Sequence, residues 1–157
     1  MTEPAARTYS FRELAELDQL DTDALRSLFT IELGGEDFYN ALAERATNAE
    51  AAELLRRNGR EEAGHARRIA RAIAIKLGTD FEPTTDMLER RAVRVPDELD
   101  AALLRALVQG ERDGDAGYQR WADHEPDPDV ARLLRLNGRE ETIHGGRVEQ
   151  AIALLGG

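Results

Sequence analysis

The sequence predicts an all-α protein, a four-helix bundle made of two repeated antiparallel helical hairpins that a long crossover joins. Three observations support this prediction. Apolar residues recur at helical spacing over four long stretches, and cap and turn residues separate these stretches. The second pair of stretches also repeats the first at an offset of 79 residues. With 157 residues, the chain suits a single domain.

Cap and turn residues set the expected limits of each helix. Asp21 and Asn48 are suited to begin the first two long helices, and Gly78 is suited to end the second. The predicted long helices cover about 22–46, 49–77, 97–124 and 129–156. The first and third joints are short, so each pair of helices should form an antiparallel hairpin.

These limits divide the chain into an N-terminal extension and a bundle. The extension covers 1–20 and the bundle 21–157, with repeat 1 at about 22–78, the crossover at 79–96 and repeat 2 at about 97–157. Helical turns are expected near 11–17 in the extension and 85–91 in the crossover. We assign no chemistry to the extension.

Charge and composition exclude several classes of function. The chain carries 21 basic and 31 acidic residues, a net charge of −10, which disfavours nucleic acid or anionic membrane as a partner. No apolar run is long enough to span a membrane and no signal peptide is evident, so a cytoplasmic protein is expected. Because there is no cysteine, any metal must be held by oxygen and imidazole.

The internal repeat is the most informative feature. The segment Leu54–His65 reappears as Leu133–His144, and residues 28–78 match 107–157 at 20 of 51 positions without a gap. Two such copies in one bundle imply an approximate two-fold axis.

The repeat places carboxylates and imidazoles at equivalent positions in the two hairpins. Glu62 and His65 are three residues apart, as are Glu141 and His144, so each pair projects from one face of its helix. Each motif Glu is preceded, 30 residues earlier, by a single Glu on the neighbouring helix of its hairpin. These two residues are Glu32 and Glu111.

Four carboxylates and two imidazoles are therefore expected to meet at the middle of the bundle. Four buried carboxylates would repel one another unless cations neutralised them. Two divalent ions supply the required charge, and oxygen with imidazole suits iron or manganese with positions open for dioxygen or peroxide. Structural zinc, which prefers closed and often thiolate-rich sites, fits poorly.

This pattern resembles the ferritin-like di-iron carboxylate superfamily, and its closest branch is the rubrerythrin or erythrin group without a rubredoxin domain. The resemblance covers residues 22–156. It implies two iron ions, with manganese as an alternative, held by Glu32, Glu62, His65, Glu111, Glu141 and His144. It further implies that Glu62 and Glu141 bridge the metals.

The resemblance implies an oxidoreductase that reduces hydrogen peroxide or dioxygen and receives electrons from an external donor. Two departures weigh against close analogy with a rubrerythrin peroxidase: Gly114 stands where the family has an additional Glu, and no rubredoxin-like Cys-x-x-Cys pair follows the bundle. The alternatives are a ferroxidase or iron-binding protein of ferritin type, and a structural bundle with a vestigial site. A homodimer is expected, and the length of the crossover allows hairpins to exchange between two chains.

Other repeated positions have two interpretations each. Tyr39 and Tyr118 are either packed core residues or donors of hydrogen bonds and electrons near the metals. Gly35 and Gly114 provide room either for helix packing or for a small oxidant. The remaining repeated positions belong either to charged surfaces or to a hydrogen-bonding layer around the site; they are Glu36, Asp115, Asn58, Asn137, Arg68 and Arg147.

Overall fold

The computed structural model describes residues 5–89 and 94–157. These residues form four long helices and two short ones, which confirms the predicted all-α bundle. The helices are α1 (Phe11–Ala15), α2 (Thr22–Arg45), α3 (Ala49–Leu77), α4 (Thr85–Glu89), α5 (Ala101–His124) and α6 (Pro128–Leu154).

Side-chain caps fix where the long helices begin. Asp21, Asn48 and Asp100 each accept a hydrogen bond from the backbone N–H three residues later. Asp127 caps α6, and Gly78 ends α3 in the left-handed conformation, with a φ of 69°. The predicted caps at Asp21, Asn48 and Gly78 are therefore confirmed.

Two predicted helix ends were wrong by a few residues. Helix α5 begins at Ala101 rather than near Asp97, because the Asp100 side chain caps the backbone N–H of Leu103. Helix α6 ends at Leu154 rather than Gly156, which has a positive φ of 80°.

The two hairpins pack against each other mainly through their second helices. Helix α2 packs along α3, and α5 along α6, while α3 and α6 join the two hairpins. The backbones of α2 and α5 stay further apart than those of α3 and α6. The side of the bundle between α2 and α5 is therefore its more open side.

Two apolar clusters occupy the bundle on either side of a polar middle. The first includes Phe29, Ile69, Ile73, Trp121 and Leu134. The second includes Leu42, Leu55, Leu104, Val108 and Val148. Along α3 and α6, the buried polar residues lie between the segments that enter these two clusters.

The N-terminal extension packs on the bundle. Leu14 and Leu20 are buried in the first apolar cluster. The indole N–H of Trp121 donates to the carbonyl of Leu17 at 2.8 Å, and the backbone N–H of Tyr9 donates to Ser27 at 2.9 Å. The short helix α1 lies where a helical turn was predicted.

Part of the crossover also packs against the bundle. Helix α4 forms at Thr85–Glu89, within the predicted turn, whose last two residues lie outside the described ones. Phe81 meets Phe29 edge to face, with ring centroids 5.7 Å apart. None of the helices formed by residues 5–89 and 94–157 has the length and hydropathy to cross a membrane.

Candidate metal centre

All six predicted ligand residues come together at the middle of the bundle, one or two from each long helix. Their nitrogen and oxygen atoms form two overlapping groups of four residues, within each of which the atoms lie within 4.8 Å of one another. One group adds Glu32 and His65 to the pair Glu62 and Glu141. The other adds Glu111 and His144 to the same pair. Glu62 and Glu141 therefore stand at the centre.

The two imidazoles are fully buried and face the carboxylates. Their rings stack with centroids 5.1 Å apart and planes 16° apart. Nδ1 of His65 lies 3.4 Å from oxygens of both Glu32 and Glu62 and 3.5 Å from Glu141. Nδ1 of His144 lies 3.2 Å from Glu62, 3.5 Å from Glu141 and 3.9 Å from Glu111.

Neither Nδ1 atom has a hydrogen-bond partner, although both are buried. A buried nitrogen without a partner is costly unless something else binds its lone pair. A cation between the imidazole and the carboxylates would do so, and oxygen with imidazole is a donor set that iron and manganese accept. The residues present therefore fit a pair of such ions.

The opposite ring nitrogens are held by carboxylates that sequence reasoning missed. Nε2 of His65 lies 2.9 Å from Glu140, and Nε2 of His144 lies 3.1 Å from Glu61. Each of these carboxylates belongs to the other hairpin. A carboxylate in this position fixes the tautomer and the orientation of a metal-binding imidazole.

The Nε2 contacts are thus made by Glu140 and Glu61 rather than by the repeated pair Glu36 and Asp115. Asp115 instead accepts hydrogen bonds from Thr142 at 2.6 Å and from Gln119 at 2.9 Å. The available signal was the doubled Glu of the Glu-Glu-x-x-His motif, which both copies contain. On its own helix, the first Glu of the motif is four residues from the His, but it serves the His of the opposite hairpin.

Arginine and asparagine complete this layer. Arg68 makes two contacts of 2.8 Å to Glu140 and one of 3.0 Å to Asn137. Arg147 likewise contacts Glu61 at 2.7 and 3.1 Å and Asn58 at 3.1 Å. The interpretation of these arginines as part of a hydrogen-bonding layer is therefore supported.

The two asparagines form hydrogen bonds between the hairpins, beside the imidazoles. The amide of Asn58 donates to the carbonyl of His144 at 3.1 Å, and Asn137 donates to the carbonyl of His65 at 3.3 Å. Both asparagines are fully buried. The backbone that carries each His is thereby held by the helix opposite.

Both tyrosines donate to a carboxylate of the cluster. The hydroxyl of Tyr39 donates to Glu111, and that of Tyr118 donates to Glu32. Each Tyr thus reaches the Glu of the other hairpin, not the one seven residues before it. Burial, with the charge of these carboxylates, raises the pKa of both hydroxyls well above its usual range, so both remain protonated donors.

Burial makes the full set of charges costly in the absence of cations. Burial, reinforced by the charge of Glu62, raises the pKa of Glu32 to about 8. Burial, with the nearby Glu141, raises the pKa of Glu111 to about 11. Burial opposes charge on His144, but the carboxylates of Glu141 and Glu62 outweigh it and raise its pKa to about 9. The cluster therefore needs positive charge, which either protons or metal ions can supply.

The repeated glycines lie directly over the two central carboxylates. A Cβ on Gly35 would lie 3.1 Å from Cδ of Glu62, and one on Gly114 would lie 3.6 Å from Cδ of Glu141. These positions leave room beside the cluster on the open side of the bundle. The third histidine, His124, is exposed and lies outside both groups of candidate ligands.

A family model described as rubrerythrin matches residues 23–152. The chain belongs to the rubrerythrin family. The match includes nearly all of the four long helices and all six residues of the buried cluster. No curated protein and no solved structure gives a significant match.

Membership of the rubrerythrin family indicates the kind of chemistry for which the buried cluster is suited. The family suggests a di-iron oxidoreductase, and the Glu and His groups of this chain are compatible with a di-iron site. The rubrerythrin match also supports the ferritin-like bundle that the pattern of single Glu and Glu-x-x-His residues implied.

Proposed function

We propose that this rubrerythrin-family protein holds two iron ions, or iron with manganese, and reduces hydrogen peroxide or dioxygen. The observation that carries the proposal is the pair of buried Nδ1 atoms without hydrogen-bond partners, each facing carboxylates from other helices. The rubrerythrin match supports the choice of iron and of an oxidant as substrate.

The assignment of ligands follows from the two overlapping groups. Glu32 and His65 would hold one ion, and Glu111 and His144 the other. Glu62 and Glu141 belong to both groups and are suited to bridge the two ions.

Bound metals would act as Lewis acids and supply the electrons that reduce the oxidant. The residues of the chain orient the ligands and balance their charge. Glu140 and Glu61 hold the outer nitrogens of the imidazoles, which leaves Nδ1 free to bind. Tyr118 and Tyr39 hold Glu32 and Glu111 by donated hydrogen bonds.

Electrons must return to the site after each turnover. The sequence has no cysteine and hence no rubredoxin-like iron site. We therefore propose an external electron donor.

Metal analysis of three histidine variants tests the ligand assignment. The wild-type protein should contain two metal ions per chain, and His65→Ala and His144→Ala should lose most of them. His124→Ala is the matched control, because this histidine is exposed and should leave the metal content unchanged. A His65→Ala protein that retains two ions per chain would refute the assignment.

Rapid mixing of the reduced protein with peroxide or dioxygen tests the reaction. Reduction of either oxidant with about two electrons per chain is expected, followed by turnover when a donor is supplied. If the protein instead oxidises many ferrous ions per chain and retains the product, the alternative of a ferroxidase is correct.

A further inference from the structure

A groove between α2 and α5 leads from the surface to the carboxylate cluster. Its volume is about 230 Å³. Its base is formed by the four cluster carboxylates, and its apolar walls by Phe11, Ile31, Phe38 and Leu107. Phe11 is 48% exposed, so its ring lines the groove without being buried in the core.

The groove is larger than a small oxidant requires. One water molecule needs roughly 10–15 Å³ of such cavity space, and hydrogen peroxide and dioxygen are molecules of a similar scale. The groove, at about 230 Å³, exceeds that volume severalfold. Its apolar walls would be stabilised by covering them with an apolar group rather than with a polar oxidant.

A second cavity lies beside the groove. It has a volume of about 330 Å³, lies between α1 and α5 and includes Trp121. It shares Phe11 and Gly114 with the first cavity. Because Asp113 and Arg120 also line the second cavity, the apolar body of an occupant is expected in the first groove, with its head at the carboxylates.

The charge of the groove favours a neutral head group. No Lys or Arg occurs among the described residues that line it, and its ionisable groups are the four carboxylates and Tyr39. An anionic ligand would find no cationic side chain there, and a hydrated ferrous ion would have to pass apolar walls. A neutral hydroperoxide meets neither obstacle.

We infer, on the basis of the proposed function, that the groove binds organic hydroperoxides whose substituent is apolar. The hydroperoxide group lies at the cluster and the substituent lies against Phe11, Phe38 and Leu107. Reduced metal ions held by the cluster would supply the two electrons that break the O–O bond. With two protons taken up from the solvent, the products would be the alcohol and one water molecule.

A groove-filling variant provides the test. Leu107, Gly110, Glu111 and Gly114 follow helical spacing and line the groove along one face of α5. A Cβ on Gly110 would meet nothing within 4 Å, so Gly110→Leu should place its side chain in the groove without moving the backbone. Gly146→Leu is the matched control: it lies on α6, outside the residues that line the groove, and is equally unobstructed.

The first measurement compares cumene hydroperoxide with hydrogen peroxide. We expect the wild-type protein to have the higher kcat/KM for cumene hydroperoxide. Gly110→Leu should lower the ratio of the two kcat/KM values by at least about tenfold, as expected for the loss of roughly two buried methylene groups. Gly146→Leu should leave the ratio unchanged.

The second measurement is independent of turnover. Binding of cumyl alcohol, the product, is followed by calorimetry with the metal-loaded protein. Saturable binding is expected in the wild-type protein and in Gly146→Leu, with at least about tenfold weaker binding in Gly110→Leu and in Phe11→Ala. The Phe11→Ala variant removes a wall rather than filling the space, so it tests the groove even if Gly110→Leu fails to fold.

The outcomes separate this inference from the proposed function. If hydrogen peroxide is reduced but the alcohol does not bind and the ratio does not change, the inference is wrong and the proposed function stands. If metal does not bind or neither oxidant is reduced, the proposed function fails, and calorimetry with the metal-free protein then tests whether the groove binds the alcohol. If sedimentation shows that two chains associate through this groove and that Gly110→Leu separates them, the groove is an interface and the inference is overturned.

Discussion

At the scale of single residues, the site depends on partners that lie in the opposite hairpin. The acceptor for Nε2 of His65 is Glu140 on α6, and the acceptor for Nε2 of His144 is Glu61 on α3. Each acceptor is held in turn by an arginine of the opposite hairpin, Arg68 for Glu140 and Arg147 for Glu61. The orientation of each imidazole is thereby coupled to the packing of α3 against α6.

Because each imidazole is oriented by a glutamate of the opposite hairpin, a substitution in one hairpin should weaken metal binding by the histidine of the other. Glu140→Ala should lower metal affinity by about 10–100-fold, because His65 loses the carboxylate that orients it. Competition with a chelator measures the affinity, and nitrogen NMR should show a larger change for the His65 side chain than for that of His144. Glu53→Ala, an exposed glutamate on α3, is the control and should change neither. An unchanged affinity in Glu140→Ala would contradict the orienting role.

At the scale of the helices, two glycines at matched positions differ in the room that they leave. A Cβ at Gly35 would lie 3.1 to 3.3 Å from the end of the Glu62 side chain, whereas a Cβ at Gly114 would make an ordinary contact of 3.6 Å with Glu141. Because a carboxylate end is mobile, the closer contact should move the carboxylate of Glu62 rather than unfold the helix. Substitutions at the two glycines should therefore affect helix stability alike but metal binding differently.

Alanine at each position should reveal this difference. Both Gly35→Ala and Gly114→Ala should raise helix stability, by up to about 1 kcal/mol. Only Gly35→Ala should weaken metal binding, on the order of tenfold, because it displaces a proposed bridging ligand. Thermal unfolding of the metal-free proteins and metal titration measure the two effects. Equal affinities in the two variants would show that the room over Glu62 is not needed.

The N-terminal extension is a second feature at this scale. Its short helix α1 begins with a capping box formed by Ser10 and Glu13. Leu14 on this helix is fully buried in the core, and Trp121 binds the carbonyl of Leu17. The segment therefore contributes to the stability of the bundle as well as to a wall of the groove.

Truncation of the buried leucine tests this contribution. Leu14→Ala should lower the free energy of unfolding by about 2–5 kcal/mol, the usual cost of a large cavity in a core. Leu88→Ala, at a side chain that is 40% exposed, should change it by less than about 0.5 kcal/mol. Chemical denaturation measures both. A small effect at Leu14 would mean that the extension does not form part of the cooperative unit.

At the scale of the whole molecule, part of the net charge of −10 comes from the buried cluster. Four of the acidic side chains lie in the buried cluster, where burial raises the pKa of Glu32 and Glu111. Two divalent ions would neutralise all four carboxylates. Because all four long helices of one chain contribute to the cluster, metal binding should stabilise the complete bundle rather than one hairpin.

Metal removal should therefore lower the melting temperature. Ferrous or manganous ion at a hundredfold excess over Kd should stabilise the fold by about 2.7 kcal/mol per site. For a chain of this size, each kcal/mol corresponds to a few degrees. Calorimetry under anaerobic conditions, with and without a chelator, measures the shift. His65→Ala should lose most of it and His124→Ala should keep it; a chelator that leaves the wild-type melting temperature unchanged would favour a vestigial site.

The sequence by itself determined the secondary structure and the six residues of the cluster. Helices, caps and the spacing of Glu62 and His65 depend on neighbours within a few turns of helix. The repeat at an offset of 79 residues then identified the equivalent residues of the second hairpin. The ends that were wrong, at Asp97 and Gly156, depended on which of several nearby residues supplies the cap or the turn.

Only the tertiary structure decided which hairpin serves which ligand. Tyr118 reaches Glu32, and Glu140 reaches His65, across 86 and 75 residues of sequence. Helical periodicity fixes the face from which a side chain projects, but the partner on that face depends on how the two hairpins pack. The open side between α2 and α5, and the placement of Phe11 beside it, likewise follow from packing between segments that are distant in sequence.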